Sequence, residues 1–171
     1  MKPAKSLGAF VALLLAVWPL AAQNSHSSGA VSADLLRHPI GEKVRSLLRK
    51  AMDTIDTGDH AAAIKQLLEV LSKYPESAAY VHSLLGVEYM KTDQFQAAVD
   101  SFEQAVTLLP HDAINRHNLA VSLLCVHDVG RGAQEARRAL ELDPGNPTIR
   151  ALVNALESAK KQMLQREPTI E

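Results

Sequence analysis

Seven histidines and one cysteine are the side chains best equipped for chemistry in this 171-residue chain. His111, His117 and His127 lie nearest one another, but steps of six and ten residues do not share a helix face, where ligands recur every three or four. No His-x-x-x-His pair occurs and no cysteine or carboxylate completes a compact set, so no metal is expected. Cys125 stands alone, which excludes an internal disulfide and a Cys-x-x-Cys redox motif and leaves a small apolar filler. Ser83, Ser101 and Ser122 fall inside helical patterns, without the strained turn that exposes a serine nucleophile. Gly130-Arg131-Gly132 has no strand before it to make a phosphate-binding loop and reads as a helix start. Paired carboxylates do not gather either. The expectation is a protein that is not an enzyme, with no catalytic residue and no cofactor.

Composition says what kind of scaffold remains. Apolar residues make up 47% of the chain and aromatic ones only 4%, with Ala and Leu dominating. These lead the helix-propensity scale, while strand formers are scarce, so the fold class expected is all-α. Eighteen basic residues against nineteen acidic give a net charge of −1, and no basic excess exists to neutralise a nucleic-acid backbone.

The N-terminus carries Lys2 and Lys5, then the apolar run Leu7 to Ala22, then the polar stretch QNSHSSG. This is the layout of a secretory signal peptide over 1–22, and the apolar run is shorter than the roughly 20 residues of a spanning helix. The alternative is an uncleaved membrane anchor. The expected location is outside the cytoplasm, periplasmic or secreted. Residues 23–39 are Ser/Gly-rich and read as a flexible tether.

The rest of the chain repeats itself at an interval near 34 residues. Residues 79–112 contain Leu85, Gly86, Tyr89, Ala98, Phe102, Ala105 and Pro110; residues 113–146 place Leu119, Ala120, Leu123, Gly132, Ala136, Ala139 and Pro144 in the same register. A weaker copy over 44–77 holds Leu47, Ala51, Ala63, Leu67, Val70 and Pro75, with Lys50 and Thr54 where the others carry Leu and Tyr or Leu. Helices are predicted at 40–56, 60–74, 78–91, 95–109, 113–126, 130–142 and 147–165. The prolines end each copy because they cannot continue the hydrogen-bond ladder, and Asp112 and Asn146 are expected caps before Pro147. Ile149, Leu152, Val153 and Leu156 form one apolar stripe of the last helix, so residues 147–171 are expected to cap the array and trail into a tail.

In the second copy the typed positions resemble the tetratricopeptide repeat, with His82 in place of its leading Trp. The resemblance covers 44–144 and implies a right-handed α-solenoid of three helix-turn-helix repeats plus a C-terminal capping helix. It also implies a concave face lined by the first helix of each pair. That face would comprise Arg45, Leu48, Arg49, Met52, Ile55 and Asp56 from the first copy. The second would add Tyr80, Ser83, Leu84, Val87, Met90 and Lys91, and the third Ile114, His117, Asn118, Val121, Leu124 and Cys125. Most are apolar, and the expected function is a scaffold binding an apolar or amphipathic segment of another polypeptide, steered by Arg45 and Arg49. Arg49 and Asn118 are the only matches to the clamp by which some family members hold acidic C-termini, so that clamp is not expected. A small helical enzyme or metal-binding protein of the cell envelope is the alternative.

Overall fold

The computed structural model describes residues 40–164; the apolar N-terminal segment, the tether and the tail after 164 lie outside the described residues. Among the described residues seven α-helices follow one another: α1 Glu42–Asp56, α2 His60–Lys73, α3 Ala78–Lys91, α4 Phe95–Leu108, α5 Ala113–Cys125, α6 Val129–Leu142 and α7 Pro147–Leu164. A 3-10 turn, Pro75–Ser77, leads into α3. The helices pack in consecutive pairs as an α-solenoid, each expected boundary lying within two residues of the observed one.

Local chemistry sets these ends. Asp59, Asp112 and Asp128 accept hydrogen bonds from the backbone N–H three residues on, and Asn146 Oδ1 accepts from Thr148 and Ile149. Each satisfies a donor that a helix start otherwise leaves open. Tyr74, Leu109 and Asp143 close α2, α4 and α6 with nearly the same geometry (φ −136°, −127° and −133°). All three precede a proline, whose ring disfavours helical backbone in the residue before it. Between the helices of each pair the chain crosses the left-handed region at Gly58, Asp93 and His127. Asp and His are among the few side chains that tolerate it.

Three connected cores run along the array. Val44, Leu48 and Ala51 of α1 bury with Leu67 and Val70 of α2 and with Val81 and Leu85 of α3. Ala98, Val99 and Phe102 of α4 meet Leu119 and Leu123 of α5. Ala120 and Leu124 of α5, with Ala136 of α6, are covered by Leu152 and Val153 of α7. Leu85 and the Leu119–Leu123 pair thus pack on the hairpin before their own. The last helix keeps the register: Arg116 donates to the carbonyl of Pro110, and Arg150, thirty-four residues on, donates to that of Pro144. It therefore sits as the first helix of a fourth pair would, with its exposed side carrying Arg150, Asn154, Glu157 and Lys161.

Candidate functional site: the inner helix face

Beyond its sequence neighbours, α3 also packs on α5, whereas the second helices make no comparable contact with one another. Around the middle repeat the first helices are therefore spaced more closely than the second, as on the concave side of a solenoid. Arg45, Arg49, Met52 and Ile114 are exposed there; Ile55, Tyr80, Ser83, Leu84, Val87, Met90, Asn118 and Val121 are half-buried. Met52 and Ile114 keep 39% and 50% of their surface accessible, which is high for apolar side chains and places one at each end of the face. The Arg45 charge acts on the Tyr80 phenol across α1 and α3, opposing the rise that burial gives its pKa. Arg45 also lies 3.5 Å from Glu42, while Arg49 makes no ion pair with a described residue.

Three of the expected lining residues belong to the interior instead. Leu48 and Leu124 are 6% and 1% exposed, and His117 is 7% exposed. Leu48 continues the Val44 stripe into the first core, and Leu124 lies under α7 against the Gly132 backbone, so neither can meet a partner. His117 precedes Val121 and Leu124 by one and two turns on the same face of α5. Its Nδ1 is buried with no hydrogen-bond partner, and burial pushes its pKa down to about 4. Burial likewise lowers His82, whose Nδ1 is also unpartnered. Cys125 is half-buried, and burial together with the Asp93 charge raises its thiol pKa, the opposite of what a reactive thiolate requires. Among the described residues no group of histidines, cysteines or carboxylates is placed to hold a metal.

One buried polar assembly has no counterpart in the sequence reading. Glu88 is fully buried, with His60 Nδ1 2.7 Å from Oε2 and Lys91 Nζ 3.0 Å from Oε1. His60 opens α2, so this carboxylate joins the first hairpin to the second. The available signal was spacing: Glu88 follows Val81 and Leu85 at seven and three residues, on the stripe that faces the core. Between α5 and α3, Ser122 Oγ lies 2.8 Å from the Asn118 carbonyl and 3.1 Å from Met90 Sδ. These contacts orient the helices relative to one another.

Residues 79–112 match the family model described as "Tetratricopeptide repeat". This segment carries a tetratricopeptide repeat. Solved structures similar to it carry the same architecture at low identity, which establishes the fold. MamA from Desulfovibrio magneticus RS-1 is 18% identical, with a TM-score of 0.63 over 71% of this chain and 72% of that one. The second tetratricopeptide domain of human RPAP3, determined in complex with an HSP70 peptide, is 17% identical, with a TM-score of 0.61 over 68% and 94%. The tetratricopeptide domain of Sgt2 from Aspergillus fumigatus is 16% identical, with a TM-score of 0.62 over 77% and 88%. The matched repeat is α3–α4, where Gly86 lies directly on the Phe102 ring.

Proposed function

We propose that this protein is an exported adaptor that holds a segment of another polypeptide along its concave face. The observation that carries this is the pair of exposed apolar side chains, Met52 and Ile114, at the two ends of a face otherwise floored by Tyr80, Leu84, Val87, Met90 and Val121. Apolar surface left open between polar rims marks interaction sites. The similar human domain holds a peptide, which supports the same use here. Arg45 and Arg49 would set the direction of the bound segment by drawing its acidic end toward α1.

The test is a Met52→Glu, Ile114→Glu double variant. Both positions are exposed, so the carboxylates stay hydrated in the free protein, and helicity and melting temperature should stay within a few degrees of wild type. Under a partner they would be buried without a counter-charge, at a cost of roughly several kcal/mol. In vivo crosslinking should therefore lose the adducts that the wild type forms. Adducts unchanged in a folded double variant would move the binding site off this face.

Export rests on the N-terminal segment. Fusing residues 1–40 to a reporter that is active only outside the cytoplasm should give signal, with the chain shortened by about 2 kDa for a signal peptide of roughly 20 residues. Signal without shortening would instead favour the anchored form.

A further inference from the structure

The first hairpin carries a second surface, on the opposite side from its neighbours. Leu85 with Tyr89 and Leu119 with Leu123 pack toward the hairpin before their own. The same positions of the first hairpin hold Lys50 and Thr54, and no described helix covers them. Lys50 is exposed, and the Thr54 hydroxyl is satisfied within the hairpin by the Lys50 carbonyl and Gln66 Oε1. Between α1 and α2 this end opens into a cleft of about 330 Å³. Its apolar lining is Leu47, Val70 and Tyr74, and its charged lining is Lys43, Lys50, Lys73 and Glu69. Lys43 Nζ stands 5.7 Å from the centre of the Tyr74 ring, and Lys73 pairs with Glu69 at 2.5 Å. The lone carboxylate is held below its usual pKa by Lys73 first, and also by Lys65 and Lys50. In a chain of net charge −1, three lysines lining the cleft beside one carboxylate form a local positive excess.

We propose that this end cleft docks an acidic segment of a partner polypeptide, one apolar side chain seated on Leu47, Val70 and Tyr74 with flanking carboxylates on Lys43 and Lys50. The shape of the cleft favours a protruding side chain over a flat membrane surface, and the charge selects against neutral or basic segments. The chain's own residues 31–39 are a poor match, because Asp34 is offset by Arg37 beside His38. This docking site is separate from the concave face and stands or falls independently of the reading given above.

The experiment is fluorescence anisotropy of the full chain with a labelled peptide of one leucine flanked on each side by two glutamates. The wild type should bind it, more weakly as salt rises from 50 to 300 mM. The glutamine analogue of the peptide should not bind. Lys43→Glu with Lys50→Glu should weaken binding at least tenfold while the helical circular dichroism is unchanged; Lys50→Ala, a milder change, should weaken it severalfold. Lys160→Glu with Lys161→Glu, exposed on α7 at the other end of the array, should bind as wild type does, which separates this site from a general effect of charge. Three outcomes overturn the proposal: no binding by the wild type, equal binding by the lysine variants, or lysine-dependent retention on anionic phospholipid vesicles without peptide binding. The last would make the patch a membrane contact.

Discussion

Replacing Gly86 with leucine is expected to destabilise the protein more than any other substitution along the helix crossings. A Cβ built at this position falls 2.6–2.8 Å from three atoms of the Phe102 ring, closer than real Cβ contacts come. Phe102 is fully buried, so its ring cannot swing into solvent to make room. The backbones of α3 and α4 must part, and overpacking of this kind costs about 1–3 kcal/mol for a single added methyl group and more for a branched side chain. We expect Gly86→Ala to lie within that range and Gly86→Leu beyond about 3 kcal/mol, lowering the melting temperature by roughly 10 °C. Two other glycines calibrate the series. At Gly132 the added carbon meets the Leu124 side chain at 3.0 Å and the Ala120 carbonyl at 3.2 Å, a milder crowding. At Gly130 it meets only an Asp128 oxygen at 3.9 Å, in the first turn of α6. Gly130→Ala should therefore stabilise by roughly 0.5–1 kcal/mol, because it removes backbone freedom from the unfolded chain at no steric cost. Thermal melts of the three alanine variants should rank Gly130 above wild type, then Gly132, then Gly86. A Gly86→Ala variant that melts with the wild type would refute the α3–α4 packing described above.

The second large effect is expected on acidification, through His117. In the unfolded chain this imidazole titrates near 6.5; in the folded protein burial holds it at about 4. Above pH 6.5 it is neutral in both states and contributes nothing to the pH dependence. As pH falls from 6.5 toward 4, the unfolded state binds the proton first, so stability declines throughout that window. The full loss is about 3 kcal/mol, from some 2.5 pH units at 1.36 kcal/mol each. No charged neighbour contributes to this shift, and burial is its only cause. The nearest basic side chain in sequence, Arg116, is engaged by Glu135 and the Pro110 carbonyl. Because Val121 and Leu124, on the same face of α5, lie in the core that α7 covers, the C-terminal cap should loosen first. Urea midpoints measured at pH 7 and pH 4.5 should fall more steeply for wild type than for His117→Phe, which keeps a ring without a titrating nitrogen. Amide exchange should accelerate in α7 before it does in α3. Parallel pH profiles for the two proteins would show that His117 is hydrated in the folded state.

The order and limits of the helices were legible in the sequence, because each is decided by residues within one turn of itself. Proline two positions after α2, α4 and α6, and an Asp or Asn before α2, α5, α6 and α7, do the same chemistry wherever they stand. The recurrence of small residues, Gly86 and Ala98 or Ala120 and Gly132, announced closely crossing pairs, since bulk there has no other way to be accommodated. The family resemblance also assigned the first helix of each pair to one face. It could not say how deep each position on that face lies, because depth depends on the neighbouring helix and the neighbours differ along the array. Leu124 and His117 occupy lining positions that the resemblance implies, yet they belong to the last hairpin, which α7 covers; Leu48 is drawn into the core shared with α3. Ser83 and Met90, the equivalents of these positions in the middle hairpin, stay half-buried. The Glu88 contact with His60 spans twenty-eight residues and two hairpins, so only the folded chain brings a lone acidic residue to the partner that lets it be buried. The lysines at this end follow the same logic in reverse: Lys50 stands at a core-leucine position that no described helix covers, and the cleft exists only once α1 and α2 are packed. Local stereochemistry thus sets the elements, while burial, the pairing of buried charge and the shape of the two surfaces are properties of the stack.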